Sequence, residues 1–301
     1  MLQKSRGLLQ RFLLKLLAKS MSGDARIRYA DAAPVVDMLV EKHPEDGTAI
    51  LRHLLGDSTG STTSHDDIDE VVNFSAYWRD KWVAEKAATV PVEAKVLDAG
   101  AGQCQYKPLF AHTKYHAQDF AQYEGTEHGP LRETWNYATL DYVCDITQIP
   151  VDDGSFDAVL CTEVLEHVSD PISALRELCR VTGAGGRLFL SAPLGSGIHQ
   201  EPYHFFGGFS PYFYQKYLAE FGFEVVEIKP LGGLLRHVAQ EVHRAARTME
   251  AGGDVMTRER RYVMMDWLPR LLSEMDDKHF VEQFTVGYLV EARKRVTGTA
   301  S

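Results

Sequence analysis

The chain has 301 residues, of which 45% are hydrophobic and 25% are charged, a composition that argues against a disordered or fibrous protein. Its formal net charge is -10, from 32 Lys and Arg against 42 Asp and Glu, and this disfavours nucleic acid as a partner because phosphate binding comes mainly from Lys and Arg. The 4 cysteines are too few for a disulfide framework and form no CxxC pair, so we expect a cytoplasmic protein without a zinc ribbon.

Residues 1–90 are predicted to form an N-terminal helical extension. Leucines recur at helical spacing between basic residues over residues 2–19, which predicts a basic amphipathic helix. Such a helix suits an anionic membrane surface, but packing on the protein itself or on a second copy would use the same leucines. Residues 1–22 are therefore expected to make a peripheral membrane contact or a homodimer contact. Residues 56–64, GDSTGSTTS, have the composition of a flexible linker.

Residues 91–297 have the alternating pattern of one α/β domain. Pro171–Val181 and Pro211–Phe221 predict crossover helices. Phe223–Ile228 and Phe284–Ala292 predict two late strands on either side of a helical insertion at about 232–280, which indicates an antiparallel final pair. Five earlier runs are mostly apolar on both faces, as a parallel sheet covered by helices requires. They are Val96–Ala99, Tyr115–Gln118, Tyr142–Asp145, Phe156–Cys161 and Arg187–Ala192.

The strongest local motif is VLDAGAGQC over residues 96–104, where an apolar strand runs through Asp98 into a glycine turn. Such a turn places backbone amides at a helix start, where a ligand can approach closely. A dinucleotide fingerprint would require Gly or Ala where Gln105 stands, so a nicotinamide site is disfavoured. A lone GxG is weak evidence of a site. The residues at the ends of the other strands are needed to identify the kind of ligand.

Acids follow the next strands in an order that suits a nucleoside. Asp119 lies 21 positions after Asp98, close to the spacing at which an acid accepts hydrogen bonds from ribose hydroxyls. Asp145 and Ile146 end the third strand and suit the amino group of a base edge and its apolar cover. Because ligands of open α/β sheets bind beyond the carboxyl ends of the strands, these residues together predict a nucleoside site.

With these motifs the chain resembles the class I S-adenosylmethionine-dependent methyltransferases, specifically the small-molecule type 11 group, over about residues 94–194. The matching pieces are VLDAGAG, the acid at Asp119, DITQIPVDDGSFD, VLCTEVLEHV and GGRLFLSAP. The resemblance implies a Rossmann-like, doubly wound seven-stranded sheet with an antiparallel last strand, and S-adenosyl-L-methionine as the cofactor. The implied cofactor contacts are Asp98, Gly100, Ala101, Gly102, Asp119, Phe120, Asp145, Ile146, Thr162 and Glu163.

The resemblance also assigns parts of the cofactor to these residues. It implies that Gly100 and Gly102 lie beside the methionine moiety and Asp119 at the ribose. It places Asp145 and Ile146 at the adenine, and Thr162 and Glu163 near the reactive end. The family often has a third glycine where this chain has Cys104.

The implied reaction is methyl transfer, which depends on aligning the acceptor with the methyl group and excluding water. We expect O-methylation of a small metabolite, a sugar or a lipid-linked intermediate, since the acidic body disfavours DNA and RNA. Methylation of carbon, nitrogen or protein acceptors stays open, as does a catalytically inactive module that only binds the cofactor.

A hydroxyl acceptor would profit from a general base, and histidine can accept a proton at neutral pH because its unperturbed pKa is about 6.5. His167, His199 and His204 follow the fourth and fifth strands, and His204, between two aromatic residues, is the preferred base. His199, Glu201 and His204 match no helical or hairpin spacing of metal ligands, so no metal is expected.

Overall fold

The computed structural model describes residues 70–126, 133–253, 256 and 258–296. The predicted helix at 2–19 and the predicted linker at 56–64 lie outside these residues. None of the helices within the described ranges has the length and apolarity that a membrane crossing requires.

A single large sheet organises this part of the chain. Its strands are β1 Lys95–Ala99, β2 Lys114–Asp119, β3 Tyr142–Val143, β4 Phe156–Thr162, β5 Thr182–Pro193, β6 Phe223–Pro230 and β7 Gly287–Lys294. The spatial order is β3-β2-β1-β4-β5-β7-β6. Strands β1 to β5 pair in parallel, and β7 is antiparallel to both β5 and β6. The predicted seven-stranded sheet with a reversed last strand is confirmed.

Helices and short turns connect these strands. The helices are α1 Phe74–Ala87, α2 Pro171–Val181, α3 Pro211–Glu220, α4 Leu234–Ala251, α5 Arg258–Tyr262 and α6 Leu268–Lys278, with a π-helical turn, Val263–Trp267, between the last two. Tight 3-10 turns lie at Lys107–Phe110, Leu165–His167 and Glu282–Phe284, and Gly125–Thr126 pairs with Glu133–Thr134. Helix α2 begins at a proline, and the Asp170 Oδ1 atom accepts a hydrogen bond from the Ser173 amide at 3.0 Å, which caps its first turn.

Successive residues of the central strands point to opposite faces of the sheet, so each strand contributes to two apolar layers. On one face Val159 of β4 packs in a cluster with Leu175 of α2 and Leu218 of α3. On the other face Leu160 packs in a cluster with Trp82 of α1. Burial on both faces explains why the strands read as continuous apolar runs in the sequence.

Residues 234–278 form the helices between β6 and β7. Helix α4 packs along α6, and the carboxylate of Asp276 in α6 accepts hydrogen bonds from the amides of Gly233 and Leu235 at 2.8 and 3.0 Å. Asp276 therefore satisfies two amides at the start of α4 from 41 or more positions away in the chain.

Two strands begin three or more residues away from the predicted start. Strand β7 begins at Gly287 rather than Phe284, because Glu282–Phe284 is a 3-10 turn. The hydroxyl of Thr285, between that turn and β7, bonds to the carbonyl of Leu231 at 2.7 Å. Strand β5 begins at Thr182 rather than Arg187, because its glycine-rich start pairs with Phe156 across a bulge.

Candidate functional site

A cavity of about 730 Å³ lies beyond the carboxyl ends of β1 to β4. All ten residues predicted to contact a cofactor line it, although they come from four separate strand ends. Of the three predicted histidines, His167 lines the cavity and His199 and His204 do not. The topology therefore brings together in one wall residues that are up to 65 positions apart in the chain, from Asp98 to Glu163.

The glycine turn after β1 forms the floor nearest the sheet. Gly100 and Gly102 have φ angles of +75° and +51°, in the left-handed region that glycine adopts at little cost. A Cβ atom on Gly100 would overlap the side chain of Val164, and one on Gly102 would lie 2.8 Å from Trp135 Cζ2. Both glycines are thus required by the conformation of the turn and by the close approach of neighbouring side chains.

Cys104 stands where the resemblance implies a third glycine, and its φ angle is +56°. The turn therefore keeps a left-handed residue at this position without glycine. Five non-glycine residues in the described ranges have positive φ, and four of them line the cavity or adjoin its lining residues. These four are Cys104, Ala121, Glu163 and Gln200. Strained backbone of this kind is concentrated at functional sites.

Two buried carboxyl groups, Asp98 and Asp119, lie near each other in the cavity wall. Asp98 is 3% exposed and accepts a hydrogen bond from the Tyr115 hydroxyl. Burial, with Asp119 nearby, raises the pKa of Asp98 to about 7. Burial also raises the pKa of Asp119, although the amides of Ala121 and Gly102 donate to its two carboxylate oxygens at 2.9 Å and oppose the rise.

Arg79 of α1 is a member of the cavity wall that the sequence patterns did not indicate. It is the only Lys or Arg among the described residues that line the cavity. Its Nε atom donates to the Tyr106 hydroxyl at 2.9 Å, and its Nη1 atom lies 3.9 Å from Glu163 Oε2. Glu163 in turn accepts a hydrogen bond from the Ser191 hydroxyl at 2.6 Å. The wall thus presents a cation beside an acid.

Aromatic rings cover the other side of the cavity. Trp135 makes edge contacts with Tyr123 and Tyr137, with ring centroids 5.5 and 6.3 Å apart. Tyr203 lies edge-on to Phe120 at 4.9 Å. The indole nitrogen of Trp135 is buried and has no hydrogen-bond partner in the described part of the chain. A buried donor in a cavity wall without a partner is what a site for a polar ligand would leave.

The three predicted histidines form one cluster. The ring centroids of His167 and His199 are 4.7 Å apart, as are those of His199 and His204. The Nδ1 atom of His167 bonds to the carbonyl oxygen of Tyr203 at 2.9 Å, which leaves Nε2 as its proton-accepting atom. Burial lowers the pKa of His167 to about 4. His204 bonds through Nε2 to the hydroxyl oxygen of Ser196 at 3.1 Å.

Glu166 lies directly behind this cluster. Its side chain is fully buried, and neither carboxylate oxygen has a hydrogen-bond partner among the described residues. Its Oε1 atom is 3.7 Å from His167 Nε2, and burial together with Glu163 raises the pKa of Glu166 to about 8. Potential ligand atoms of Glu166, His167 and His199 lie within 4.8 Å of one another, close enough to share one cation. This set differs from His199, Glu201 and His204, the one considered from the sequence.

The residues present fit a nucleoside with an amino-acid tail. The cavity has the volume of a small-molecule site, and its floor has glycines where a side chain would intrude. The indole donor of Trp135, in the wall, is buried with no partner among the described residues. Acids stand at the ends of β2 and β3, where ribose hydroxyls and a base amino group would need acceptors.

Comparison with known proteins points to the same part of the chain. The profile of a family described as "Methyltransferase domain" matches residues 97–190. A ubiquinone biosynthesis O-methyltransferase of Xanthomonas campestris pv. campestris is 55% identical over 102 residues, which cover 33% of this chain and 42% of the relative. The protein of that name from Xanthomonas axonopodis pv. citri is 35% identical over 105 residues, covering 34% and 44%. Each match spans less than half the length of the curated relative.

Among solved structures, the chain is similar to phosphoethanolamine N-methyltransferase 2 of Haemonchus contortus, in complex with S-adenosyl-L-methionine. It is 13% identical, with a TM-score of 0.43, and the alignment covers 86% of this chain and 59% of that one.

Proposed function

Residues 97–190 are a methyltransferase domain of the class I, S-adenosylmethionine-dependent type, and on this premise we propose that the protein transfers a methyl group from S-adenosylmethionine to an oxygen atom of a small molecule. The observation that carries the proposal is the convergence of all ten predicted cofactor residues on one cavity. Similarity to O-methyltransferases over about a third of the chain supports oxygen as the acceptor atom.

The cofactor would lie along the ends of β1 to β4. Gly100 and Gly102 leave room for its tail, and Arg79 offers a cation to the carboxylate of that tail. In this arrangement Asp119 would accept from the ribose hydroxyls, and Asp145 with Ile146 would meet the edge and face of the base.

When bound, the sulfonium of the cofactor supplies a methyl group that is already activated for transfer. The chain then has to hold the acceptor in line and keep water out. The rings of Tyr123, Trp135, Tyr137 and Tyr203 provide such a cover. Beyond Arg79 and the acids, the wall includes aromatic residues and several glutamines, among them Gln103, Gln105, Gln122 and Gln200, which suits an uncharged polar acceptor.

His167 is the proposed general base for a hydroxyl acceptor. It lines the cavity, whereas His204, the residue preferred from the sequence, lies behind it and bonds to Ser196. The bond from His167 Nδ1 to the Tyr203 carbonyl would orient the ring, and Nε2, which lies 3.7 Å from Glu166 Oε1, would take the proton. Burial lowers the pKa of His167 to about 4, so its imidazole is neutral at pH 7 before the proton arrives. His204 and His199 would then support the ring of His167 from the far side.

Turnover of His167→Ala and His204→Ala, each with binding of S-adenosylhomocysteine checked by calorimetry, separates the two candidates. We expect a loss of about a hundredfold or more in rate for His167→Ala with binding intact. Near-normal turnover of His167→Ala together with loss in His204→Ala would instead favour His204. Repeating the assay with EDTA shows whether a cation shared by Glu166, His167 and His199 contributes.

The overall proposal is tested by calorimetry and by a labelled-methyl assay. The wild-type protein should bind S-adenosylhomocysteine, and Asp119→Ala or Gly100→Val should weaken that binding strongly. Labelled methyl from the cofactor, offered with fractionated cell extract, should enter small molecules. Binding without transfer would favour an inactive cofactor-binding module, and label only in protein or nucleic acid would overturn the small-molecule acceptor. Label on carbon or nitrogen would correct the acceptor atom.

The basic segment at residues 1–22 is proposed to attach the enzyme to an anionic membrane surface or to a second copy. Each basic residue near such a surface contributes about 1 kcal/mol. Co-sedimentation with liposomes that contain anionic lipid, with and without salt, distinguishes these contacts, since a protein contact would not depend on lipid charge.

The 4 cysteines are free, which supports a reducing compartment such as the cytoplasm as the location of the protein.

A further inference from the structure

The loop that follows β3 carries two residues of the cavity wall, Asp145 and Ile146, and is held from behind by helix α2. The contacts come from Glu177 and Arg180, which lie one turn apart on that helix and do not line the cavity. Their side chains reach the middle of the loop at Ile149 and Val151.

Both backbone groups of Ile149 are engaged by this pair. The Ile149 amide donates to Glu177 Oε1 at 2.7 Å, and the Ile149 carbonyl accepts from Arg180 Nη2 at 3.0 Å. Arg180 Nη1 also donates to the carbonyl of Val151 at 2.8 Å. The other hydrogen bonds of residues 146–151 in the described part of the chain are local turns, formed with Asp145 or within the loop.

The two side chains are themselves fixed against each other. Arg180 donates from Nε and Nη2 to the two oxygens of Glu177, both at 2.8 Å, in a bidentate ion pair. Arg180 Nη1 is also 2.7 Å from Asp153 Oδ1, at the far end of the loop. The Glu177 side chain is 10% exposed, so it is shielded from competing water. Hydrogen bonds from Arg180 to Glu177 and Asp153 raise the pKa of the guanidinium.

Apolar packing anchors the same loop independently. Ile146 and Ile149 are buried in the core cluster that contains Leu175 and Leu178 of α2. Loss of the ion pair should therefore leave the loop folded against the core while its backbone loses fixed orientation. Hydrogen bonds are directional and apolar contacts are not. The polar contacts therefore fix the position of the loop backbone more precisely than apolar packing alone.

We propose that Glu177 and Arg180 are positioning residues for the purine of the cofactor. By fixing Ile149 and Val151, they hold Asp145 and Ile146 where these can meet the edge and face of the base. This proposal rests on the proposed function, because it requires a purine-containing ligand in the cavity. Glu177 and Arg180 act through the loop and touch neither cofactor nor acceptor.

The test compares binding of S-adenosylhomocysteine with binding of S-inosylhomocysteine, which differs from it in the base edge. Calorimetry on the full chain measures the dissociation constants of both ligands for the wild type, Arg180→Ala, Arg180→Lys and Glu177→Gln. The preference of the wild type for the adenosyl ligand should fall by about fivefold or more in Arg180→Ala, the equivalent of about one hydrogen bond. The preference of Arg180→Lys should lie between those of the wild type and Arg180→Ala, since an ammonium keeps the charge but lacks the planar fork that reaches Glu177 and the loop carbonyls at the same time.

Arg176→Ala is the matched control. Arg176 lies on the same helix but is exposed and stacks on Phe221 at 5.1 Å. It should leave the preference unchanged. Thermal unfolding of each variant identifies a folding defect, and if Arg180→Ala fails to fold, the milder Arg180→Lys and Glu177→Gln decide the matter.

The outcomes distinguish failure of the positioning role from failure of the proposed function. An unchanged preference in folded variants, or an equal loss for both ligands, overturns the positioning role and leaves the proposed function intact. Failure of the wild type to bind S-adenosylhomocysteine overturns the proposed function and this inference with it.

Discussion

Folding raises the pKa of the buried Asp98 carboxyl, which lines the cavity. Its pKa is raised to about 7, so between about pH 4 and pH 7 the folded protein holds a proton that the unfolded chain has lost. Unfolding in this range releases a proton, and a rise in pH therefore favours the unfolded state. Above about pH 7 both states are ionised and the effect levels off.

Asp98→Asn should remove this contribution. We compare the free energy of unfolding of the wild type with that of Asp98→Asn. As the pH rises from 4 to 7, the wild type should lose on the order of 1–4 kcal/mol relative to the variant. Urea unfolding of both proteins at several pH values measures the difference. A constant difference across this range would mean that Asp98 is ionised throughout, held by the Tyr115 hydroxyl.

The glycine turn gives a second prediction at the scale of single residues. Gly100→Ala and Gly102→Ala should weaken binding of S-adenosylhomocysteine at least tenfold, because the new methyl group displaces Val164 or Trp135 from the cavity wall. Gly222→Ala is the control, since Gly222 also has a positive φ, +82°, but open space around it. All three should lose about 1–2 kcal/mol of stability to backbone strain, and equal binding in all three would contradict the prediction.

Single residues also mark the limit of what the sequence could predict. Asp98, Asp119 and Asp145 were recognisable because each stands at or just after the end of an apolar run, where a sheet exposes its ligand edge. Arg79 carried no such signal, because it lies on a helix that precedes the sheet and reaches the cavity through tertiary packing alone. Trp135 carries no signal in the sequence that separates a core position from a pocket position, and only the structure shows that it lines the cavity.

At the scale of elements, helix α1 is joined to the antiparallel end of the sheet by an ionic network. Lys86 Nζ lies 2.8 Å from Glu227 of β6 and 2.6 Å from Glu291 of β7, and Arg187 of β5 lies 2.7 Å from Glu291. Although burial alone would raise it, hydrogen bonds from Lys86 and Arg187 lower the pKa of Glu291. Its ionised form is therefore stabilised by folding.

Glu291→Gln should reduce the free energy of unfolding at pH 7 by about 1–3 kcal/mol, because two partly buried cations lose a charged partner. The loss should shrink as the pH falls through the lowered pKa of Glu291, since the wild type then loses the same charge. Denaturant unfolding at pH 7 and at pH 3 tests both statements. Glu220→Gln, at the exposed end of α3, is the control and should change stability little at either pH.

The boundaries of elements were harder to predict than their existence. Residues 284–286 are hydrophobic and β-rich enough to be read as part of a strand, but the Thr285 side chain bonds to the backbone of Leu231, and the strand begins only at Gly287. Likewise residues 182–186 contain three glycines, a poor strand composition, yet pairing beside β4 extends β5 through them. In both cases contacts distant in sequence override local preference.

For the whole molecule, a ligand that binds only the folded state must stabilise it by mass action. At a concentration of S-adenosylhomocysteine 100 times its dissociation constant, we expect about 2.7 kcal/mol of added stability and a rise of about 4–6 °C in the unfolding temperature. Differential scanning calorimetry of the wild type measures this rise, and Asp119→Ala should show little of it. A rise of the same size in Asp119→Ala would mean that the ligand binds elsewhere.

The position of Trp135 gives the protein an internal optical reporter. Of its four tryptophans, Trp135 lines the cavity, while Trp78 and Trp82 lie in α1 and Trp267 in the π-helical turn. Its indole lies against Gly102, so an adenine-bearing ligand arriving there would change the polarity around the ring and quench its emission. A Trp135→Phe variant would lose that signal, and stopped-flow fluorescence could then follow the arrival and departure of the ligand in real time.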